Sequence, residues 1–240
     1  MSLPDIQFDE EKHAYTMNGC PAPGITKILR LGGIIDWMPK NNEALLRGTR
    51  VHKATELDDK GELDETHFAE KFPDLIGYLE AWRKCKVEEK FKILSIEEPV
   101  GVPEDWYCTC LDRRVMLTDG RETVFNLKTG GRWPHYQIQA AAELKAAYHC
   151  FGTSSLFWVV LMPDGSYEMD EYRPKEKYYK LWESALDIAN WKFQTGQASI
   201  GPKPPPKEEK PEDLPFESSA LFDSIETKKA EGLFGEGKNE

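Results

Sequence analysis

Two polar side chains, Asn126 and Lys128, interrupt the apolar segment TVFNLKTG. Side chains alternate across a strand, so both would lie on one face while Phe125 and Leu127 lie on the other. A carboxamide oxygen is a possible cation ligand and an ammonium is a positive charge, and both are costly to bury without a partner. The pair is therefore a candidate site, although a strand end with one solvated face is the simpler interpretation when the segment is taken alone.

Asp112 strengthens the candidate site if it pairs with Asn126 across a hairpin. The two predicted strands are joined by Thr118-Asp119-Gly120. A three-residue loop with Gly120 in the left-handed conformation would place Asp112 opposite Asn126, on the same face. A two-residue Asp119-Gly120 turn would shift the register by one residue and move Asp112 to the other face. The candidate site therefore requires the longer loop.

The helix predicted before these strands, EALLRGTRVHKATEL, carries Gly48, His52 and Glu56 at intervals of four residues. This spacing places them on one helical face. Glycine permits close approach of another backbone, and His52 and Glu56 project in one direction beside it. A single helical histidine is usually structural. A histidine, an aspartate, an oxygen ligand and a lysine from consecutive elements instead indicate a cluster.

Charge is segregated on either side of His52. Residues 27–53 carry six bases and two acids, whereas residues 54–75 carry eight acids and two bases. The basic segment fits a surface that contacts phosphates, and two ordinary solvated faces fit about as well. The six bases are Lys27, Arg30, Lys40, Arg47, Arg50 and Lys53.

Helices precede, interrupt and follow a central set of predicted strands. This order indicates an α/β fold with a central mixed β-sheet flanked by helices on both faces. The predicted segments are a hairpin at Asn18-Gly19, helices at 25–33, 42–60, 68–86 (interrupted at Pro73), 135–150 and 175–196, and strands at 91–102, 106–117, 122–130, 154–162 and 166–174.

Length and composition predict one soluble domain with a tail. The 240 residues are 40% hydrophobic and 30% charged, with a net charge of −11, which excludes a collagen, a coiled coil and a wholly disordered chain. No segment approaches the ~18 apolar residues of a membrane helix, and the acidic start lacks the basic and apolar regions of a signal peptide. We therefore expect no membrane association and a cytoplasmic location.

The composition changes after Ile200. Residues 201–240 begin with GPKPPPKEEKPEDLP and carry ten acids against six bases, so we expect a proline-rich linker and a disordered acidic tail. Residues 1–200 form the predicted globular domain. The five cysteines are irregularly spaced without a CxxC pair, which favours reduced thiols over a zinc site.

Several segments, in this order and spacing, resemble the PD-(D/E)XK nucleases, especially the phage-type and RecB-like exonucleases. They are PGITKIL, the GTRVHKATE helix, the LD of CTCLDRR, the NLKTG strand and the YQIQAAA helix, and they cover roughly residues 10–195. The resemblance implies a restriction-endonuclease-like core. It also implies that the chain hydrolyses DNA at double-stranded ends with Mg²⁺ as the cofactor, which Mn²⁺ can replace. Iron–sulfur relatives carry cysteines after the core, and none follows Cys150, so no such cluster is expected.

The resemblance also assigns roles to individual positions. It implies that the metal binds His52, Asp112, Asn126 and the main-chain carbonyl of Leu127. It makes Lys128 the catalytic lysine, acting together with Asp112 and Asn126.

Further positions concern the substrate and additional acids. Gln139 resembles a helical glutamine near the substrate, and Arg47, Arg50 and Arg132 are candidates for contacts with backbone phosphates, which carry no base information. The possible additional acids are Glu97, Glu98 and Glu56.

Three positions depart from the family pattern, and the first is Thr109, which stands where a glycine often precedes the LD pair. Asn126 stands where the family has Asp or Glu, and Glu143 stands where a tyrosine is expected four residues after Gln139. An amide brings no charge to a hard cation, which depends strongly on carboxylates. Either the asparagine is an introduced change that stops cleavage while preserving DNA binding, or the chain is a naturally weakened or inactive member. The otherwise intact His52, Asp112 and Lys128 favour the first.

Two functions from different classes follow. One is a Mg²⁺-dependent DNA exonuclease of phage recombination or replication type, located in the cytoplasm of a bacterial host. The other is a non-catalytic DNA-end-binding module that recruits a partner through its tail, such as a recombinase or a single-strand-binding protein. A restriction-type endonuclease of the same superfamily is a further alternative, because a fold does not define a function.

Overall fold

The computed structural model describes residues 4–35, 42–131 and 133–200. Arg132, and the linker and acidic tail predicted at 201–240, lie outside these described residues. Within the described part of the chain, no helix has both the length and the apolar composition needed to cross a membrane.

The described residues form a small antiparallel sheet, a central mixed sheet and six α-helices. The small sheet contains β1 (Ile6–Asp9), β2 (Ala14–Met17) and β3 (Cys20–Ala22). The central sheet contains β4 (Lys92–Val102), β5 (Tyr107–Met116), β6 (Glu122–Lys128), β7 (Leu156–Leu161) and β8 (Tyr167–Tyr172). The helices are α1 (Ile25–Leu31), α2 (Asn42–Lys60), α3 (Glu65–Lys71), α4 (Ile76–Glu89), α5 (Tyr136–Phe151) and α6 (Glu176–Gln194), with a 3-10 turn at Pro73–Leu75.

The central sheet has the strand order β4-β5-β6-β7-β8. Neighbours are antiparallel except for β6 and β7, which are parallel and joined through α5. A parallel pair needs such a crossover, because a tight turn can only reverse the chain. The predicted α/β class with a central mixed sheet is therefore confirmed.

Two hydrophobic cores cover the two faces of this sheet, as the alternation along β6 requires. Val124 packs with α1, α5 and α6 on one face, called here the α5 face. Phe125 and Leu127 pack with α2, α3 and α4 on the other face, called the α2 face. Asn126 and Lys128 alternate with Phe125 and Leu127, so their side chains point toward the α5 face.

The β5–β6 hairpin has the register that the candidate site requires. Arg113 pairs with Phe125 and Met116 with Glu122, which leaves Thr118-Asp119-Gly120 as the loop. Gly120 has φ +83°, a left-handed conformation that favours glycine. The three-residue loop predicted from the sequence is confirmed, and the alternative two-residue turn is wrong.

Gly77, at the start of α4, allows the helix to lie against the turn between β7 and β8. A Cβ atom added there would lie 1.8 Å from the carbonyl oxygen of Pro163. We predict that Gly77→Ala lowers the free energy of unfolding by about 1–3 kcal/mol, the range for overpacked positions, in a urea titration.

Gly48→Ala is the matched control, because the nearest atom to its added Cβ is Thr129 Oγ1 at 3.7 Å. Alanine favours the helix, so this change should be neutral or stabilising by up to ~1 kcal/mol. Equal effects of the two substitutions would contradict the packing of α4 described here.

Candidate active site

Three polar residues lie side by side across strands β4, β5 and β6. In the β4–β5 ladder, Glu97 falls opposite Asp112. The last β5–β6 pair is Arg113 with Phe125, and Asp112 and Asn126 are the next residues along the two strands. Pairing of the strands thus brings together residues that are far apart in the sequence.

The sheet is irregular at this row. The backbone N–H of Leu127 donates to Asp112 Oδ2 at 2.6 Å, where a regular ladder would offer a main-chain carbonyl. Glu97 has φ +47°, an uncommon conformation for a residue with a side chain and one that concentrates at functional sites. Both features aim carboxyl groups out of the regular strand pattern.

Helix α2 brings His52 to the same place. Its neighbours Val51 and Ala54 are buried on the α2 face, which holds the helix against the sheet. His52 Nε2 lies 3.1 Å from the Leu127 carbonyl oxygen. Its Nδ1 lies 3.8 Å from Glu97 Oε1 and 3.7 Å from Asp112 Oδ1. An Nε2–H group that donates to the carbonyl leaves Nδ1 as an acceptor facing the acids, the usual arrangement of a metal-binding histidine.

These residues fit a hard divalent cation. One ligand atom from each of His52, Glu97 and Asp112 lies within 4.8 Å of the others. Carboxylate oxygens suit Mg²⁺ and Mn²⁺, and imidazole adds a nitrogen ligand. Asn126 is 4% exposed, and its Oδ1 has no hydrogen-bond donor. A buried acceptor without a donor is costly unless a ligand satisfies it.

The charges of this group perturb one another. Burial alone would lower the pKa of His52, but the carboxylates of Asp112 and Glu97 outweigh it and the pKa is raised. Burial raises the pKa of Glu97, and Asp112 adds to the increase, while His52 and Arg113 oppose it. Both residues therefore hold protons more tightly than usual, and a bound cation would displace those protons.

Asn126 also contacts α5. Its Nδ2 donates to Glu143 Oε2, and Gln139 Nε2 donates to Glu143 Oε1 at 2.7 Å. Glu143 is 3% exposed, and burial raises its pKa to about 7, although Lys128 acts to lower it. Asp112 raises the same pKa, so Glu143 lies within the electric field of the candidate metal ligands.

Lys128 lies in a cleft next to this group. Its Nζ is 5.0 Å from the centre of the Tyr136 ring and 5.4 Å from that of Trp158, and the cleft is also lined by Gly130 and Trp133. The ammonium lowers the pKa of both His52 and Glu143. Its positive charge therefore reaches both sides of the candidate site.

The buried guanidinium of Arg113 forms an ion pair with Glu97. Arg113 is 0% exposed and donates to Glu97 Oε1 at 3.3 Å, to Asp59 Oδ2 at 2.7 Å and to Thr55 Oγ1 at 3.1 Å. Asp59 also accepts from Trp82 Nε1 at 2.9 Å. Arg113 thus joins α2, α4 and β4 behind the candidate ligands.

The remaining predicted residues have different surroundings. The Arg47 guanidinium lies beside Gly130, just after β6, whereas that of Arg50 packs over the Phe72 ring at 4.7 Å. Glu98 accepts from Arg114 at 2.9 Å. Glu56 accepts from Lys53 and Lys60 at 3.0 and 2.6 Å. The structure thus groups Glu97, and neither Glu98 nor Glu56, with His52 and Asp112.

Three residues of this region were absent from the sequence-based site: Arg113, Asp59 and Glu143. Glu143 had a detectable signal, because it is an acid within the small, apolar run AAAEL. Asp59 and Arg113 stand in charged segments, where neither is distinguished from its neighbours. Their burial follows from packing between elements that are distant in the sequence.

No protein-family model matches the chain, and no curated protein matches it. Solved structures similar to it include an alkaline exonuclease from Laribacter hongkongensis, with 14% identity over 72% of this chain and 76% of that chain and a TM-score of 0.39. Another is a protein from Eubacterium rectale provisionally named an exonuclease, with 14% identity over 75% and 77% and a TM-score of 0.42. At these values the similarities assign no activity to this chain.

Metal binding should depend on Asp112 and Glu97. We predict that Asp112→Asn or Glu97→Gln weakens the binding of Mn²⁺ at least ~10-fold in isothermal titration calorimetry, because hard cations need carboxylate charge. Glu98→Gln, on the adjacent position of β4, should leave the affinity within about twofold. A larger loss for Glu98→Gln than for Glu97→Gln would contradict the geometry of the group.

Stability should depend on Arg113. Removing one partner of a buried ion pair leaves the other charge uncompensated, so we expect Arg113→Ala to lower the free energy of unfolding by about 3–5 kcal/mol. Urea titration would measure this loss. Arg121→Ala removes an exposed arginine paired with Asp119 and should hardly move the midpoint. A similarly small change for Arg113→Ala would show that the buried network is dispensable.

Proposed function

We propose that this chain is a divalent-metal-dependent DNA exonuclease of the PD-(D/E)XK type. The observation that carries the proposal is the convergence of His52, Glu97 and Asp112 from α2, β4 and β5, beside the buried Asn126 oxygen and Lys128. An imidazole and two carboxylates in one recess, next to an ammonium, suit hydrolysis of a phosphodiester.

The roles of the side chains follow from their chemistry. His52, Glu97, Asp112 and Asn126 would hold the cation, which would supply Lewis-acid polarisation of the scissile phosphate and a more acidic water. Lys128 would offset negative charge that develops on the phosphate, and its ammonium lies over two aromatic rings. The Leu127 carbonyl, bonded to His52, fixes the orientation of the imidazole.

The surroundings of this recess suit a DNA strand. Arg47 lies beside Gly130, one of the residues that line the Lys128 cleft, and its guanidinium is suited to contact a backbone phosphate there. The cleft also contains Trp133, which is 49% exposed and offers a surface on which a base can stack. Gln139 lines a second cleft together with Lys27. Preference for ends is inferred from the RecB-like order of the sequence motifs.

A nuclease assay tests the proposal. With Mg²⁺ or Mn²⁺, the chain should digest linear double-stranded DNA and leave closed circular DNA intact, and EDTA should abolish the digestion. Lys128→Ala should reduce the rate at least ~100-fold, the lower range for losing one electrostatic contact to a transition state.

The outcomes separate three possibilities. Digestion of closed circular DNA would show that the chain is an endonuclease and not an exonuclease. If neither the chain nor its Asn126→Asp variant cleaves any DNA while both bind DNA ends in a mobility-shift assay, the catalytic proposal is wrong and a DNA-end-binding module replaces it. Equal rates for the chain and Lys128→Ala would remove Lys128 from the mechanism.

A further inference from the structure

We propose that Asn126 and Glu143 act as one unit at the metal site, in which Glu143 orients the Asn126 carboxamide and supplies the negative charge that asparagine lacks. This inference rests on the proposed metal-dependent function. Glu143 is a positioning residue in this scheme, because it acts on the cation through Asn126. The asparagine is then the working ligand of this chain rather than a disabling change.

The nitrogen and the oxygen of the Asn126 carboxamide differ in their hydrogen bonding. Nδ2 donates to Glu143 Oε2, whereas Oδ1 is buried and has no donor. A carboxamide that binds an acceptor through its nitrogen must present its oxygen to the opposite side. Asn126 directly precedes Leu127, whose N–H donates to Asp112 Oδ2 and whose carbonyl oxygen lies 3.1 Å from His52 Nε2. We therefore infer that this oxygen faces a cation held by the candidate ligands next to Leu127.

Glu143 is held in position from two sides. Gln139, one turn earlier on α5, donates to its second oxygen at 2.7 Å. Both carboxylate oxygens are therefore engaged, and the side chain is 3% exposed. Its immediate neighbours Ala140, Ala142 and Ala146 are fully buried, so there is little room for another rotamer. This arrangement fixes the direction of the Asn126 amide.

The hydrogen bond also carries charge to the ligand. In a chain of hydrogen bonds in a buried environment, each group polarises the next. A carboxylate that accepts from Nδ2 therefore increases the negative charge on Oδ1. Both Glu143 oxygens accept hydrogen bonds, as those of a carboxylate do. In this ionised form the two side chains would together present to a cation an oxygen with one formal negative charge behind it.

The same geometry makes an aspartate at position 126 unfavourable while Glu143 is present. Two carboxylates would then meet within hydrogen-bonding contact in a buried site, and like charges so placed destabilise one another. Glutamine at position 143 removes this conflict, because its amide can donate to an aspartate and its oxygen can still accept from Gln139. We therefore expect Asn126→Asp to be tolerated only when Glu143→Gln is made in the same chain.

Binding of Mn²⁺ alone, measured by electron paramagnetic resonance and calorimetry on the full chain, tests this inference without reference to cleavage. Glu143→Gln should weaken the affinity about 10–100-fold, the range observed for residues that orient metal ligands. Asn126→Asp should bind Mn²⁺ no more tightly than the unsubstituted chain and should melt at a lower temperature. The double substitution Asn126→Asp with Glu143→Gln should recover an affinity within about threefold.

Glu183→Gln is the matched control, because it makes the same charge change on the exposed side of α6. The Mn²⁺ affinity and the melting temperature of this variant should equal those of the unsubstituted chain. An unchanged Mn²⁺ affinity in Glu143→Gln, or a tighter one in Asn126→Asp, would overturn the inference. If circular dichroism shows that Glu143→Gln does not fold, the test is the comparison of the Mn²⁺ affinity of Asn126→Asp with that of the double substitution.

The inference and the proposed function fail differently. A chain that binds Mn²⁺ and digests linear DNA, with Glu143→Gln indistinguishable from it in Mn²⁺ affinity, overturns the inference alone. A chain that binds no Mn²⁺ and cleaves no DNA, with or without Asn126→Asp, overturns both.

Discussion

Acidic side chains gathered in one recess repel one another, and the buried guanidinium of Arg113 is the interaction on which their arrangement depends. This guanidinium is not solvated by water, so its charge must be compensated by neighbouring hydrogen-bond acceptors. Asp59 on α2 and Glu97 on β4 provide them. Because these acceptors belong to different elements, satisfying one cation also fixes the distance between the helix and the sheet. His52 lies on that same helix, and its approach to Glu97 and Asp112 follows from the same constraint.

The open end of the β5–β6 ladder gives this arrangement its geometry. Leu127 donates its N–H to Asp112 and its carbonyl binds His52, so one residue positions ligands on both sides. A regular ladder would have used both groups for strand pairing and left the side chains at their ordinary spacing. The departure from regular structure is therefore what allows an aspartate and a histidine to face a common point.

The α5 face completes the site with a different chemistry. Helix α5 approaches the sheet closely because its buried surface is mostly alanine, and the Tyr107 hydroxyl donates to its Ala142 carbonyl at 2.9 Å. At this distance Glu143 reaches Asn126 across the interface. A charge that is missing from the strand is present on the helix. Two of the departures from the family pattern, Asn126 and Glu143, are thus in contact in the folded chain.

The sequence by itself determined the order of helices and strands and limited the β5–β6 register to two alternatives, one of which places Asp112 and Asn126 on the same face. These depend on local rules: strand alternation, helical spacing and the turn residues Thr118-Asp119-Gly120, which fit either a three-residue loop or a two-residue Asp119-Gly120 turn. The structure selects the three-residue loop, in which Arg113 pairs with Phe125. Only the tertiary structure decided between Glu97 and Glu98, since the β4 bulge near residue 94 and the positive φ of Glu97 determine which acid faces His52. It alone brought Glu143 to Asn126 and Arg113 to Asp59, because contacts between distant elements depend on how whole surfaces pack, and no local pattern records that packing.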